Sequence, residues 1–207
     1  PMLIKNLLRI VKSYKFSLIT IIFYEIIYLL KGFKGNKFHF SENNKMSDDI
    51  PCPYYFLYKI KKILSKFNFK TFLDLGCGSG RVIDFFSKNL IQVDFVGIEY
   101  FSKQYNYCKK IFENKKNIKI VQADFLKSDF FQYDPDCFFL NRPINDDLVF
   151  IETIKKLLNF PHKHKKILLI FVNCDNKILK SLINIQCIDS FYTNVNKGYS
   201  IYLLEKE

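Results

Sequence analysis

Tryptophan is absent from the 207-residue chain, and methionine, histidine and glycine are scarce, with two, three and seven residues. The six cysteines form no Cys-x-x-Cys pair, and no histidine stands at a metal-ligand spacing from any of them. These absences exclude the common zinc-binding patterns. The cysteines are interpreted as reduced thiols, which predicts a cytoplasmic protein that holds no metal.

Acidic residues are in deficit, because 32 Lys and Arg stand against 20 Asp and Glu, for a formal charge of +12. Such an excess attracts nucleic acid, anionic lipid or phosphorylated substrates. No arginine-rich run or RNA-binding signature accompanies it, and a lysine-rich, AT-biased composition explains it equally well. Nucleic acid is therefore an unfavoured partner. The length fits one medium domain with an appendage.

No apolar run reaches the ~20 residues that a membrane-spanning helix needs. The longest, residues 16–30, contains Glu25, is flanked by lysines, and lacks the small-residue cleavage site of a signal peptide. Two interpretations stay open. The helix packs on the rest of the chain, or residues 5–37 lie on an anionic membrane surface and make the protein peripheral to the membrane. The polar residues 32–51 predict a loop or lid.

A regular pattern begins near residue 53. Helical periodicity covers residues 54–66, 81–87, 102–113, 146–159 and 177–184, and strand patterns cover residues 70–75, 93–99, 118–123, 136–140, 166–172, 187–193 and 199–204. The alternation predicts an α/β fold with a Rossmann-like, mostly parallel seven-stranded sheet and a C-terminal antiparallel hairpin. We divide the chain into an N-terminal helical and lid-like segment, residues 1–50, and one α/β domain, residues 51–207.

The most specific motif is the strand–loop–helix sequence FLDLGCGSGR at residues 72–81. Its glycines permit positive backbone dihedrals and leave room for a ligand, and the helix N-terminus adds amide donors. A dinucleotide-binding loop would carry glycine at the sixth position of its motif, where this chain has Arg81. Asp74, two residues before Gly76, suits an amine-bearing ligand better than a pyrophosphate. An NAD-dependent oxidoreductase is therefore disfavoured.

Two further acids follow the next two strands. Glu99 ends the second strand about twenty residues after the loop, where an acid accepts hydrogen bonds from ribose hydroxyls. Asp124 follows the third strand. Each acid alone could simply cap a helix. Together with the glycine loop, they predict one nucleoside-containing ligand across three strand ends.

This combination resembles class I S-adenosyl-L-methionine (SAM)-dependent methyltransferases, in particular small bacterial members whose substrates are unassigned. The resemblance rests on residues 53–54, 74–81, 97–99 and 141–144. It implies that Asp74 lies near the aminoacyl part of SAM and that Asp124 contacts the adenine amino group. The cofactor-binding residues that it implies are Tyr54, Asp74, Gly76, Cys77, Gly78, Gly80, Arg81, Glu99, Tyr100, Asp124, Phe125 and Asn141.

The fourth strand leads into Asn141-Arg142-Pro143-Ile144, where amino-methylating relatives often carry [DN]-P-P-[YF]. Arg142 and Ile144 depart from that pattern, which weakens the inference to base methylation. Asn141 is the predicted catalytic residue for an amine acceptor, although Asn141 and Pro143 could equally serve only to shape the pocket. A hydroxyl acceptor requires a general base. The candidates are Asp146, Asp147, His39 and Glu42.

The predicted function is methyl transfer from SAM to a nitrogen or oxygen of an unidentified acceptor. Small molecules or glycan precursors rank first, protein lysine second and nucleic acid third. The glycine loop with its trailing Arg81 also resembles seven-strand protein-lysine methyltransferases, some of which carry a hydrophobic N-terminal segment. The alternative outside enzymology is a non-catalytic module of the same fold that binds a partner or a membrane.

Overall fold

A computed structural model describes residues 17–35, 51–159, 161, 163–194 and 197–205 of the chain. The helices are α1 (Ser17–Leu30), α2 (Tyr54–Leu64), α3 (Arg81–Ser87), α4 (Ser102–Phe112), α5 (Asp147–Asn159) and α6 (Asn176–Leu182). The strands are β1 (Thr71–Leu75), β2 (Asp94–Glu99), β3 (Ile118–Gln122), β4 (Cys137–Asn141), β5 (Lys166–Val172), β6 (Gln186–Asn194) and β7 (Lys197–Glu205). A short 3₁₀ turn, Phe130–Tyr133, lies before β4 and was not predicted.

The seven strands form one sheet in the order β3-β2-β1-β4-β5-β7-β6. The first five strands pair in parallel, and β7 runs antiparallel to both β5 and β6. This confirms the predicted fold class and its C-terminal hairpin. Each predicted element bound lies within two residues of the observed one, because the strands are short, strongly apolar and separated by helices or turns.

Both faces of the sheet are covered, and successive strand residues alternate between two cores. On β1, Phe72 belongs to the core under α1 to α4, while Leu73 belongs to the core under α5 and α6. Parallel strands that are buried on both sides have nearly continuous apolar sequences, as β5 has with KILLIFV. The two helical layers leave the carboxyl ends of the parallel strands as the accessible edge.

Helix α1 packs on the domain through one face. Ile21 is buried, and the ring of Tyr28 stacks on that of Tyr54 with centroids 5.0 Å apart. Tyr24 lies between Tyr55 and Tyr58 of α2, at 5.4 and 5.1 Å. Within the described residues, no helix is both long enough and apolar enough to cross a membrane.

Candidate active site

A cleft opens where the strand order reverses, between β1 and β4. In open α/β sheets the loops that leave two such neighbouring strands diverge, and ligands bind in the crevice outside their carboxyl ends. The walls of this cleft include Asp74 and Gly76 from the end of β1, Arg81 from α3, and Asn141 from β4. Gly35 approaches it from the N-terminal segment. The glycine loop and Asn141 are thus brought together as the sequence predicted.

The glycine loop turns through three left-handed residues, with φ of 81° at Gly76, 52° at Gly78 and 84° at Gly80. A Cβ on Gly76 would lie 2.8 Å from the Cβ of Pro143, and one on Gly80 would lie 2.6 Å from the Sγ of Cys108. The space beside these two glycines is therefore filled by protein. Pro143 consequently has a packing role against the loop.

Glu99 clamps the loop from the end of β2. Its Oε2 accepts a hydrogen bond from the Gly78 amide at 2.8 Å, and its Oε1 accepts one from the Phe101 amide at 2.8 Å. A carboxylate has about four acceptor positions, so these bonds are compatible with further donors such as ribose hydroxyls. The side chain is buried.

Opposite charges face the cleft from neighbouring positions. Asp74 is 1 % exposed and Arg81 is 6 % exposed, and both contribute to its wall. The Nε of Arg81 is buried and finds no hydrogen-bond partner among the described residues. A buried donor of this kind is costly unless an acceptor reaches it.

Arg81 is held from the N-terminal side. Its Nη1 donates to the Glu25 carboxylate of α1 at 2.8 Å and to the Cys52 carbonyl at 3.2 Å. The guanidinium lies 4.4 Å above the ring of Tyr54, in a cation–π arrangement. The second oxygen of Glu25 accepts the Tyr54 amide at 2.8 Å. One carboxylate therefore joins α1, the start of α2 and the helix that follows the glycine loop.

Several predicted cofactor residues lie away from the cleft wall. Tyr54 is fully buried beneath Arg81, and Phe125 is buried in the core under α5 and α6. Tyr100 is 47 % exposed beside Phe101. Asp124 accepts the Leu126 amide at 3.0 Å and closes a turn after β3. Glu99 and Asp124 share the carboxyl edge of the sheet with the loop, as predicted, while Tyr54 contacts Arg81 in the cleft wall through its ring.

Asn141 is fixed by a partner that sequence reasoning missed. The Nδ2 of Asn173, just after β5, donates to the Oδ1 of Asn141 at 2.9 Å. Asn173 adopts a left-handed backbone with φ of 54°, and its amide donates to the Gly198 carbonyl at 2.8 Å. The bond orients the amide plane of Asn141 beside the cleft.

The two candidate general bases within the described residues, Asp146 and Asp147, do not line the cleft. Asp146 accepts the amides of Leu148 and Val149 at 3.0 and 3.2 Å and caps α5. Asp147 is exposed on the same helix. His39 and Glu42 lie outside the described residues. In the described part of the chain, no three His, Cys, Asp or Glu side chains are grouped to hold a metal ion.

The thiols beside the cleft are poor nucleophiles. Burial raises the pKa of Cys52 well above its ordinary value. Hydrogen bonding with Cys108, together with burial, does the same for the pKa of Cys77. Because the thiolate is the reactive form, covalent catalysis by either cysteine is disfavoured.

The contact between Glu25 and Arg81 could have been anticipated from the sequence. Glu25 interrupts an otherwise apolar run, and an acid there must find a partner when the helix packs. Arg81, the position where the glycine motif departs from the dinucleotide pattern, is that partner. Gly35 and Cys52 carry no comparable signal, since they reach the cleft by the path of the backbone.

Comparison with known proteins gives a family and a fold. Residues 72–159 match the family model described as a methyltransferase domain. No curated protein matches the chain in sequence. Among solved structures, a proposed caffeoyl-CoA O-methyltransferase from Staphylococcus aureus has 16 % identity and a TM-score of 0.58, with 75 % of this chain and 85 % of that chain covered. An RNA methyltransferase from Salinibacter ruber, in complex with S-adenosyl-L-homocysteine, has 13 % identity and a TM-score of 0.56, with coverages of 76 % and 95 %.

The strand order and the glycine loop at the end of β1 define a class I, Rossmann-like methyltransferase fold. The family match lies on that loop and the three strands that follow it along the chain. Residues 72–159 therefore resemble a methyltransferase domain in sequence, and the fold around them is the class I methyltransferase fold that the sequence resemblance predicted. At identities of 13–16 %, the solved structures show similarity of fold and nothing further.

Proposed function

We propose that the protein is an enzyme that transfers the methyl group of SAM to a nitrogen or oxygen of a small acceptor, either a small molecule or a glycan precursor. The observation that carries this proposal is the convergence of Asp74, the glycine loop and Asn141 on one cleft at the β1–β4 switch point. Glu99 and Asp124 follow the next two strands at the same edge of the sheet.

The cleft residues fit the chemistry of SAM. Its aminoacyl group carries an ammonium and a carboxylate, and the cleft presents Asp74 and Arg81, one charge of each sign. A ligand carboxylate would give the buried Nε of Arg81 the acceptor that the described residues do not supply. Glu99 stands where ribose hydroxyls are expected, and Asp124 where the adenine amino group is expected.

When bound, SAM supplies a methyl group already activated on a sulfonium, so the protein has mainly to position the acceptor and exclude water. Asn141, oriented by Asn173, is proposed to position the acceptor. Apart from Asp74, no carboxylate or histidine lines the described part of the cleft. An amine, or an oxygen acceptor that loses its proton readily, therefore fits better than a simple alcohol.

The N-terminal side of the cleft wall favours a small acceptor. Gly35 packs directly against the backbone of Gly80 and Arg81, and the Lys34 amide donates to the Asp84 carboxylate at 2.7 Å. The N-terminal segment thus lies over the start of α3. A cleft bounded on this side by the N-terminal segment admits a small molecule more readily than a side chain on a folded protein, which places protein lysine second.

Calorimetry with SAM and its demethylated product tests the cofactor. We expect one site per chain, with a dissociation constant on the order of micromolar, and no heat with NAD.

Glu99→Ala should weaken binding by about 1.5–3 kcal/mol, the range for a hydrogen bond to a charged group. Asp124→Ala should weaken it less. Asp94→Ala, exposed at the opposite end of β2, is the matched control. Folded protein that binds neither SAM nor its product would refute the assignment.

Methyl-labelled SAM then separates an enzyme from a binding module. The protein is incubated with fractionated cell extract, and label is followed into small molecules, protein and nucleic acid. We expect label in the small-molecule fraction, and its loss with Asn141→Ala. Label that appears only in protein would favour the lysine alternative. Tight SAM binding with no transfer to any fraction would favour a non-catalytic role.

A further inference from the structure

The outward face of α1 is a continuous apolar surface. Its six large side chains are between 49 % and 83 % exposed, and we call them the outer stripe: Ile19, Ile22, Phe23, Ile26, Leu29 and Leu30. At 3.6 residues per turn they occupy an arc of about 120°. The opposite arc holds the side chains that pack on the domain, so the helix has two distinct apolar faces. A contiguous patch of this kind marks an interaction site.

Basic residues outnumber acidic ones in the sequence on either side of the outer stripe. Residues 1–41 contain seven Lys and Arg and a single acid, Glu25. That acid turns inward, where its carboxylate pairs with Arg81 at 2.8 Å. Lys31 and Lys34, which follow the helix, are exposed. Within residues 17–35, the outward face of α1 is therefore apolar, is followed by two exposed lysines and carries no acid.

We propose that the outer stripe docks on the surface of an anionic lipid bilayer. The helix would lie in the plane of the interface, with its apolar side chains at the acyl boundary and its lysines at the level of the lipid phosphates. The fourteen described residues of α1 extend about 21 Å at 1.5 Å per residue, less than the ~30 Å hydrocarbon core of a bilayer. A second copy of the chain is a poorer occupant, because two chains that each carry a formal charge of +12 repel one another.

The position of the helix gives this docking a consequence for the cleft. The inward face of α1 contacts Arg81, a wall of the cleft, through Glu25. An α-helix with side chains is about 10 Å across. Docking would hold the cleft about one helix diameter from the bilayer surface. The inference stands on exposure and charge and does not depend on methyl transfer.

Co-sedimentation of the full chain with vesicles tests the proposal. Phosphatidylcholine vesicles are compared with and without phosphatidylglycerol. The stripe variant is Ile22→Ser/Phe23→Ser/Ile26→Ser, and the matched control is Ile91→Ser/Leu148→Ser, two residues that are 80 % and 73 % exposed elsewhere. We expect the parent and the control to bind anionic vesicles and the stripe variant to bind at least about tenfold more weakly. Added salt should weaken binding of the parent.

Thermal melting verifies that each variant folds. If the stripe variant does not melt cooperatively, Ile19→Ser/Leu30→Ser replaces it, because these two side chains are the most exposed of the six, at 79 % and 83 %. A parent that stays in solution with anionic vesicles, or a folded stripe variant that binds them as the parent does, would overturn the proposal. A parent dimer that the stripe variant lacks, without vesicle binding, would assign the surface to a second copy instead.

Discussion

The carboxylate of Glu25, in the middle of an apolar helix, lies 2.8 Å from the guanidinium of Arg81, which follows the glycine loop 56 residues later. Arg81 is almost fully buried, so removal of its partner leaves a charge without compensation. We expect Glu25→Ala to lower the free energy of unfolding by about 2–3 kcal/mol, below the full range for buried pairs because Glu25 is partly exposed. Denaturant titration measures the change.

An exposed ion pair supplies the control for that measurement. Lys166 and Glu205 approach to 2.7 Å, but their side chains are 64 % and 53 % exposed. Glu205→Ala should therefore cost less than about 0.5 kcal/mol. Equal losses at both sites would show that the Glu25 network contributes no more than a surface pair.

The second prediction separates backbone strain from crowding in two glycines. Gly32 and Gly80 have φ of 69° and 84°, yet a Cβ on Gly32 meets nothing within 4 Å, whereas one on Gly80 meets Cys108 and Phe112. Gly32→Ala should cost about 1 kcal/mol for the left-handed conformation. Gly80→Ala should cost about 1–3 kcal/mol more because the core is overpacked. Equal melting temperatures for the two variants would contradict the packing assigned to the loop.

The third prediction concerns stability at alkaline pH. Burial raises the pKa of Cys174 to about 12 and raises the pKa values of Cys52 and Cys137. Above the ordinary thiol pKa of 9.0, the unfolded chain releases these protons while the folded chain retains them. The unfolded state then binds fewer protons, so stability falls as pH rises. Each such thiol contributes about 1.4 kcal/mol per pH unit until its folded pKa is reached.

Denaturant midpoints under reducing conditions at increasing pH measure that fall. Cys137→Ala should flatten the pH dependence, and Cys187→Ala, at the exposed cysteine, should leave it unchanged. Thiol reagents provide an independent check, because only Cys187 is accessible in the folded chain. A stability profile that stays level above pH ~9 would contradict the assigned shifts.

The fourth prediction concerns Asn173, which combines a left-handed backbone with the hydrogen bond to Asn141. Asn173→Gly removes the hydrogen bond but adopts the left-handed conformation readily. Asn173→Ala removes the hydrogen bond and also disfavours that conformation. We expect the alanine variant to be the less stable of the two by about 1 kcal/mol. Both variants should weaken the orientation of Asn141. If alanine proves as stable as glycine, the backbone at this position is not constrained as described.

The strands and the glycine loop could be predicted because their signals are local. Each strand is a short apolar run with its own boundaries, and the loop places three glycines within five residues. The edge of the sheet at which Glu99 and Asp124 lie follows from parallel pairing alone. Agreement was closest where neighbours in sequence decide the structure.

The remaining features depend on contacts between distant segments. Nothing in the sequence near Gly76 shows that Pro143 occupies the space beside it. The bond between Asn173 and Asn141 requires β5 to lie next to β4 in register. The family resemblance assigned Tyr54 to the cofactor site, and the fold shows in addition that Tyr28 of α1 stacks on its ring and Arg81 lies over it. These contacts between distant segments of the chain follow only from the assembled fold.

The Glu25 carboxylate also restricts which changes in sequence the chain can tolerate. It satisfies the guanidinium of Arg81 with one oxygen and the backbone amide of Tyr54 with the other. Replacement of Arg81 by an apolar residue would leave the carboxylate facing a main-chain donor, which still favours an acceptor at position 25. Among homologous sequences, an acid at position 25 should therefore persist when position 81 varies, while Arg81 should occur only together with an acid in this helix. Covariation between these two positions would be one-sided.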